Sequence, residues 1–150
     1  MLAVYTAEAT SWGGREGRVV SSDRVLDLKL TPPKGMSGEG GDGTNPEQLF
    51  AAGWSACFHS ALRSVARHDK VELGDSAVTA TVSIGRDEEV RGFKLEAMIE
   101  VEIPGVDRSI AQGLVDQAHQ LCPYSKATRG NIDVKVTLVE SDTVTPPPPA

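Results

Sequence analysis

Apolar and polar residues alternate most cleanly in two stretches. Val78, Ala80, Val82 and Ile84 stand against Thr79, Thr81 and Ser83, and Phe93, Leu95, Ala97, Ile99, Val101 and Ile103 against Lys94, Glu96, Glu100 and Glu102. A period of two predicts strands with one dry and one wet face. Between them, Gly85-Arg86-Asp87-Glu88-Glu89 reads as a solvated hairpin tip rather than a paired-carboxylate site, because no third polar group converges there in sequence. Residues 2–10 and 17–30 also read as strands, with Leu26, Leu28 and Leu30 alternating against Asp27 and Lys29 and Ser21-Ser22-Asp23 supplying turn chemistry. They predict an N-terminal antiparallel sheet. A final strand is expected over residues 132–139.

Helical patterning appears twice. A Pro- and Gly-rich loop from Thr31 to Thr44 meets a strong helix start, with Asn45 as N-cap, Pro46 at the first position and Gln48 at the third. This helix should run to about Arg67, and its first turns are apolar nearly all round, so sheets or a partner must cover it. A second helix, capped by Asp107, carries Ile110, Ala111, Leu114, Ala118 and Leu121 at helical spacing and stops before Pro123. Cys122 therefore falls on a helix boundary and, preceding a proline, is pushed toward extended geometry.

At 150 residues the chain predicts one domain over residues 1–140, followed by a disordered proline-rich tail over 141–150. The net charge of −6 comes from scattered residues, which argues against nucleic acid or an anionic membrane as the main partner. No apolar run is long enough to span a bilayer, and the start lacks the pattern of a secretory signal, so cytoplasmic residence is expected. In that reducing compartment the two cysteines, Cys57 and Cys122, point to transient, catalytic or sensing use rather than a structural disulfide.

Phe50, Trp54, Cys57 and Ala61 share one helical stripe, with Gly53 beside it leaving room for something to approach. Spacing alone leaves Cys57 open between a passive core thiol and a nucleophile, because an apolar wall raises a thiol's pKa unless a cation lies near. Arg15 and Arg18, in a glycine-bracketed turn, are the candidate cations, or simply the mobile arginines of a hairpin tip. Glu47 is placed either to orient such an arginine or to complement the helix dipole. It lies ten residues before Cys57, roughly 15 Å along an unbroken helix. Either the helix starts irregularly or two chains share a site, and a homodimer with composite sites is expected.

Other patterns are weaker. Gly38-Glu39-Gly40-Gly41-Asp42-Gly43 satisfies G-x-G-x-x-G literally but lacks its strand–helix context. Ser55 and His59 are i, i+4, yet no nucleophile elbow surrounds them. His59, His68 and His119 show no metal-ligand spacing with the cysteines, so no metal is expected.

Asn45-Pro46-Glu47-Gln48-Leu49-Phe50-Ala51-Ala52-Gly53, Ala56-Cys57-Phe58 and the segment from Cys122-Pro123-Tyr124-Ser125 to Gly130-Asn131-Ile132 resemble the organic hydroperoxide resistance (Ohr) branch of the OsmC/Ohr superfamily. Weaker similarity extends from about Val4 to Val139. The resemblance implies an α+β intertwined homodimer with antiparallel sheets, two central helices packed between them and sites at the interface. It implies a thiol peroxidase that reduces organic and fatty-acid hydroperoxides, with no bound cofactor and with an external dihydrolipoamide or lipoylated protein as electron donor. Matched by position, Cys57 is expected as the peroxidatic cysteine, Cys122 as the resolving one, Arg15 as the thiolate-activating arginine and Glu47 as its partner. Phe50, Gly53, Trp54 and Phe58 are expected to form the substrate pocket. Departures are modest: Trp54 stands where tyrosine is frequent, Lys126 where asparagine is, and Ser11-Trp12 where smaller residues are usual. Alternatives are an OsmC-branch peroxidase, a non-turnover module binding apolar ligands, and a redox sensor.

Overall fold

The computed structural model describes residues 1–36 and 38–140; the tail expected at 141–150 lies outside them. The chain divides into two compact units, Met1–Leu49 and a second beginning at Phe50.

In the first unit, β1 (Ala9–Trp12), β2 (Arg18–Ser21) and β3 (Asp27–Lys29) form an antiparallel sheet in that order. The strand expected over residues 2–10 is shorter and later, and Leu2, Val4 and Tyr5 are exposed. The cause is the turn after Ser21, which sits opposite Ala9. There the Asp23 carboxylate accepts from Ser21 Oγ and from Val25 N–H, and Arg24 takes φ 61°, so the chain turns away after Ser22 N–H has bonded the Glu8 carbonyl and before residues 2–7 can pair with it. The loop that follows β3 is closed by Thr31 N–H donating to the Thr44 carbonyl (3.0 Å) and Thr44 N–H to that of Lys29 (2.9 Å).

Helix α1 (Pro46–His68) starts as its cap predicts, with Asn45 Oδ1 accepting from Gln48 N–H at 2.9 Å. Its buried stripe is Trp54, Phe58, Leu62, Val65 and Ala66, whereas Ala52, Ala56 and Ser60 are exposed. Cover on several sides, expected from the apolar run, is thus supplied on one face by this chain.

The second unit packs that stripe against β5 (Phe93–Glu102) and α2 (Arg108–Leu121), burying Ile99, Val101, Ala111, Leu114, Val115 and Ala118. β4 (Ala77–Arg86) pairs antiparallel with β5 from Ala77↔Glu102 to Arg86↔Phe93. Asp107 caps α2 by accepting from Ser109 and Ile110 N–H. Beyond Cys122, in a stretch for which no element was predicted, Pro123 opens a short helix, α3 (Pro123–Thr128). A proline that ends one helix suits the first position of the next, since its missing N–H would be unused there. β6 (Val134–Val139) then lies parallel to β5, so the second sheet is mixed rather than antiparallel throughout. The helical crossover returns the chain to the end from which β5 started, which dictates that direction.

Candidate active site

Cys57 lies at the edge of the buried stripe of α1, half-buried, and Cys122 is fully buried at the corner between α2 and α3. Both thiols are free, and the two sulfurs lie near enough for Cys122 to act on the ionisation of Cys57. Cys122 adopts φ −56°, ψ 121°, the extended conformation that a following proline favours, which breaks the helix axis there. Burial pushes the Cys57 thiol above its ordinary pKa; the Tyr124 backbone N–H opposes that rise, and the second ionisable sulfur of Cys122 adds to it.

Aromatic rings flank the sulfurs. Phe50 meets Trp54 edge-on with centroids 5.4 Å apart and stacks on Tyr124 at 5.9 Å. Tyr124 lies across α1 at Gly53, where an added Cβ would stand 2.8 Å from its hydroxyl, so Gly53 is what admits the ring. Of the expected pocket residues, Phe50 and Gly53 are partly exposed, but Trp54 and Phe58 are fully buried in the core and back the site instead of lining it. They follow the i, i+4 stripe that faces β5 and α2, one position out of phase with Cys57. Trp54 Nε1 is the buried side-chain polar atom without a partner among the described residues, at a cost of about 1–3 kcal/mol. Tyr124 was visible only as part of a motif, and nothing in its spacing marked it as a neighbour of Gly53.

Arg15 and Glu47 meet within the first unit. A left-handed Gly13 (φ 75°) opens a single 3-10 turn, Gly14–Glu16. From it the Arg15 guanidinium donates both Nη atoms to the Glu47 carboxylate, each at 2.7 Å. This bidentate pair holds the Glu47 carboxyl below its usual range and raises the guanidinium further. Arg18, the other candidate, instead donates Nε to Asp27 at 2.6 Å on the exposed sheet. Because α1 is unbroken from Pro46, the irregular start that would shorten the Glu47–Cys57 separation does not occur. Trp12 is exposed on β1.

The remaining patterns resolve into ordinary contacts. Ser55 Oγ donates to the Ala52 carbonyl, and His59 shares a hydrogen bond with Ser76, so the two do not pair. Residues 38–43 form irregular loop. Among the described residues no three His, Cys, Asp or Glu side chains are grouped to hold a metal ion, and no helix is long and apolar enough to cross a membrane. His119 shares a hydrogen bond with the fully buried Ser125 across the Cys122 corner.

The two cysteines sit on a long helix and at a helix corner beside a mixed sheet, and comparison with known proteins places that arrangement. Residues 38–137 match the family model described as OsmC-like protein. The organic hydroperoxide resistance protein of Xanthomonas axonopodis pv. citri is 54% identical over 136 residues, covering 90% of this chain and 94% of the relative. The crystal structure of OhrB of Bacillus subtilis superposes with a TM-score of 0.85 at 48% identity, covering 91% of this chain and 100% of that one. That of an organic hydroperoxide resistance protein from Elizabethkingia anophelis gives 0.88 at 50% identity, covering 93% and 99%. The chain belongs to the organic hydroperoxide resistance branch of the OsmC family.

Proposed function

We propose that this protein is a cysteine-based peroxidase that reduces organic hydroperoxides, fatty-acid hydroperoxides included. The observation that carries the reading is the pair of free thiols, near enough to act on each other's ionisation, beside an aromatic wall. The Cys57 thiolate attacks the distal peroxide oxygen; the O–O bond breaks, the alkoxide takes up a proton and leaves as an alcohol, and Cys57 becomes a sulfenic acid. The Cys122 sulfur then attacks that of Cys57, forming the disulfide and expelling water. An external dihydrolipoyl dithiol, free or on a lipoylated protein, reduces the disulfide and leaves oxidised.

Because burial holds the Cys57 thiol up, a cation is needed to generate thiolate at neutral pH. Arg15, oriented by Glu47, supplies it in this reading and also stabilises the charge on the departing oxygen. The length of α1 between Glu47 and Cys57 favours delivery of that pair from a second copy, in an intertwined homodimer with composite sites. Phe50 and Tyr124 favour alkyl hydroperoxides over hydrogen peroxide, since burial contributes about 0.8 kcal/mol per methylene.

The raised Cys57 thiol is also what a non-turnover, apolar-ligand module would show. Stoichiometric organic hydroperoxide separates the two. A peroxidase loses both thiols of each chain without linking chains, turns over with dihydrolipoamide, and is inactivated by Cys57→Ser; retention of both thiols would refute it.

A further inference from the structure

The corner that carries Cys122 is fastened by bonds the chemistry above does not use. In a continuing helix the His119 carbonyl would accept from the N–H four residues on, but that residue is Pro123, which has none. The orphaned carbonyl instead accepts from Arg129 Nη2 at 2.8 Å, reached from beyond the far end of α3. The His119 ring, 6.3 Å from that of Phe58, shares a hydrogen bond between Nδ1 and Ser125 Oγ at 3.1 Å. Burial and the Arg129 charge keep the imidazole below its usual pKa, so the ring stays neutral near pH 7. Two ties therefore join α2 to α3 over the Cys122 backbone, whose own N–H and carbonyl bond to Ala118 (2.8 Å) and Lys126 (3.0 Å). His119, Ser125 and Arg129 also line a cavity of about 600 Å³ whose walls include neither cysteine. Packing of Tyr124 against Gly53 and Phe50 holds one side of the corner, and on the side that borders this space the hydrogen bonds set its angle.

We propose that His119, Ser125 and Arg129 form a clasp of positioning residues that fixes Cys122 against Cys57, so that disulfide formation outruns further oxidation of the sulfenic acid. This rests on the peroxidase reading and deepens it. In the clasped corner the Cys122 sulfur attacks the sulfenic sulfur, an S–S bond forms, the S–O bond breaks and water leaves. With the clasp open, a second hydroperoxide molecule oxidises the same sulfur to the sulfinic acid and is itself reduced to an alcohol.

The test is rapid acid quench of the reduced full-length protein with tert-butyl hydroperoxide, with mass spectrometry resolving thiol, sulfenic, disulfide and sulfinic species. Ser125→Ala removes the buried tie and Arg129→Ala the exposed one. Both should consume the first peroxide within about twofold of wild type and form disulfide more slowly, roughly tenfold for Ser125→Ala and about threefold for Arg129→Ala, because small misplacement of reacting atoms is costly. Sulfinic product should rise with peroxide concentration. A global defect would slow both steps together, and that result in both variants overturns the clasp, as does wild-type disulfide formation in both. If Ser125→Ala fails to fold, Arg129→Ala, altered only at an exposed side chain, decides alone. Wild-type protein that consumes no hydroperoxide sinks the peroxidase reading and the clasp with it; wild-type turnover with resolution unchanged in the variants sinks the clasp alone.

Discussion

Gly53→Ala should change the sign of its effect on stability according to what stands at position 124. In an ordinary helix interior the substitution stabilises by about 0.5–1 kcal/mol. Here the new Cβ would lie 2.8 Å from the Tyr124 hydroxyl and 3.2 Å from its ring, so the ring must retreat by roughly 0.6 Å or more to regain ordinary contact. The ring cannot move freely, because it stacks on Phe50 at 5.9 Å. Loss of that stacking costs about 0.5–1.5 kcal/mol and overpacking about 1–3 kcal/mol. The net expectation for Gly53→Ala is destabilisation of about 1–2 kcal/mol. In a Tyr124→Ala background the obstacle is gone and the helix preference alone remains, a stabilisation of about 0.5–1 kcal/mol. A double-mutant cycle by urea unfolding at fixed protein concentration should return a coupling of about 2 kcal/mol. Stabilisation by Gly53→Ala in both backgrounds would refute the assignment of Gly53 as the seat of Tyr124.

Two further outcomes follow from the ionisable groups. Glu47→Gln should cost about 0.5–1.5 kcal/mol near pH 7, discounted because the Arg15 side chain is 34% exposed. The Glu47 carboxyl is depressed in the folded state, so its contribution is present above the ordinary carboxylate range and is lost as pH falls through the folded value; wild type and variant should converge in acid unfolding curves. Convergence at neutral pH instead would mean that the pair contributes nothing. Cys122→Ala should move alkylation of Cys57 to lower pH, because the neighbouring sulfur helps hold that thiol up. An unmoved or higher alkylation midpoint would show that the two sulfurs do not interact.

Legibility tracked the range of the interactions involved. The caps at Asn45 and Asp107 act within one turn, and both helices begin where those residues predict. The alternation from Val78 to Ile84 and from Phe93 onward places β4 and β5, since half-buried strands write their register in every second residue. The same alternation is silent on direction, so the parallel pairing of β6 emerges only once the crossover is seen. Residues 2–7 carry strand-like composition, but a strand needs a neighbour, and the turn at Asp23 removes it. At six residues α3 is too short to show a helical period, and Pro123 signals a stop as readily as a start. Between Arg15 and Arg18 residue type offers no choice; Asp27 on the neighbouring strand engages the second and Glu47 the first. Neither the His119–Ser125 bond nor the Arg129 reach to a proline-orphaned carbonyl has a spacing that stands out from background.

Trp54 has no solvent exposure and sits one helical turn before Cys57, while Trp12 is 58% exposed in the other unit. The two indoles should therefore emit at separable wavelengths, the sheltered one at the blue edge of the spectrum. Disulfides quench nearby indoles, so the redox state of the sulfur pair should register as a dimming of that blue emission, a built-in optical gauge that needs no dye.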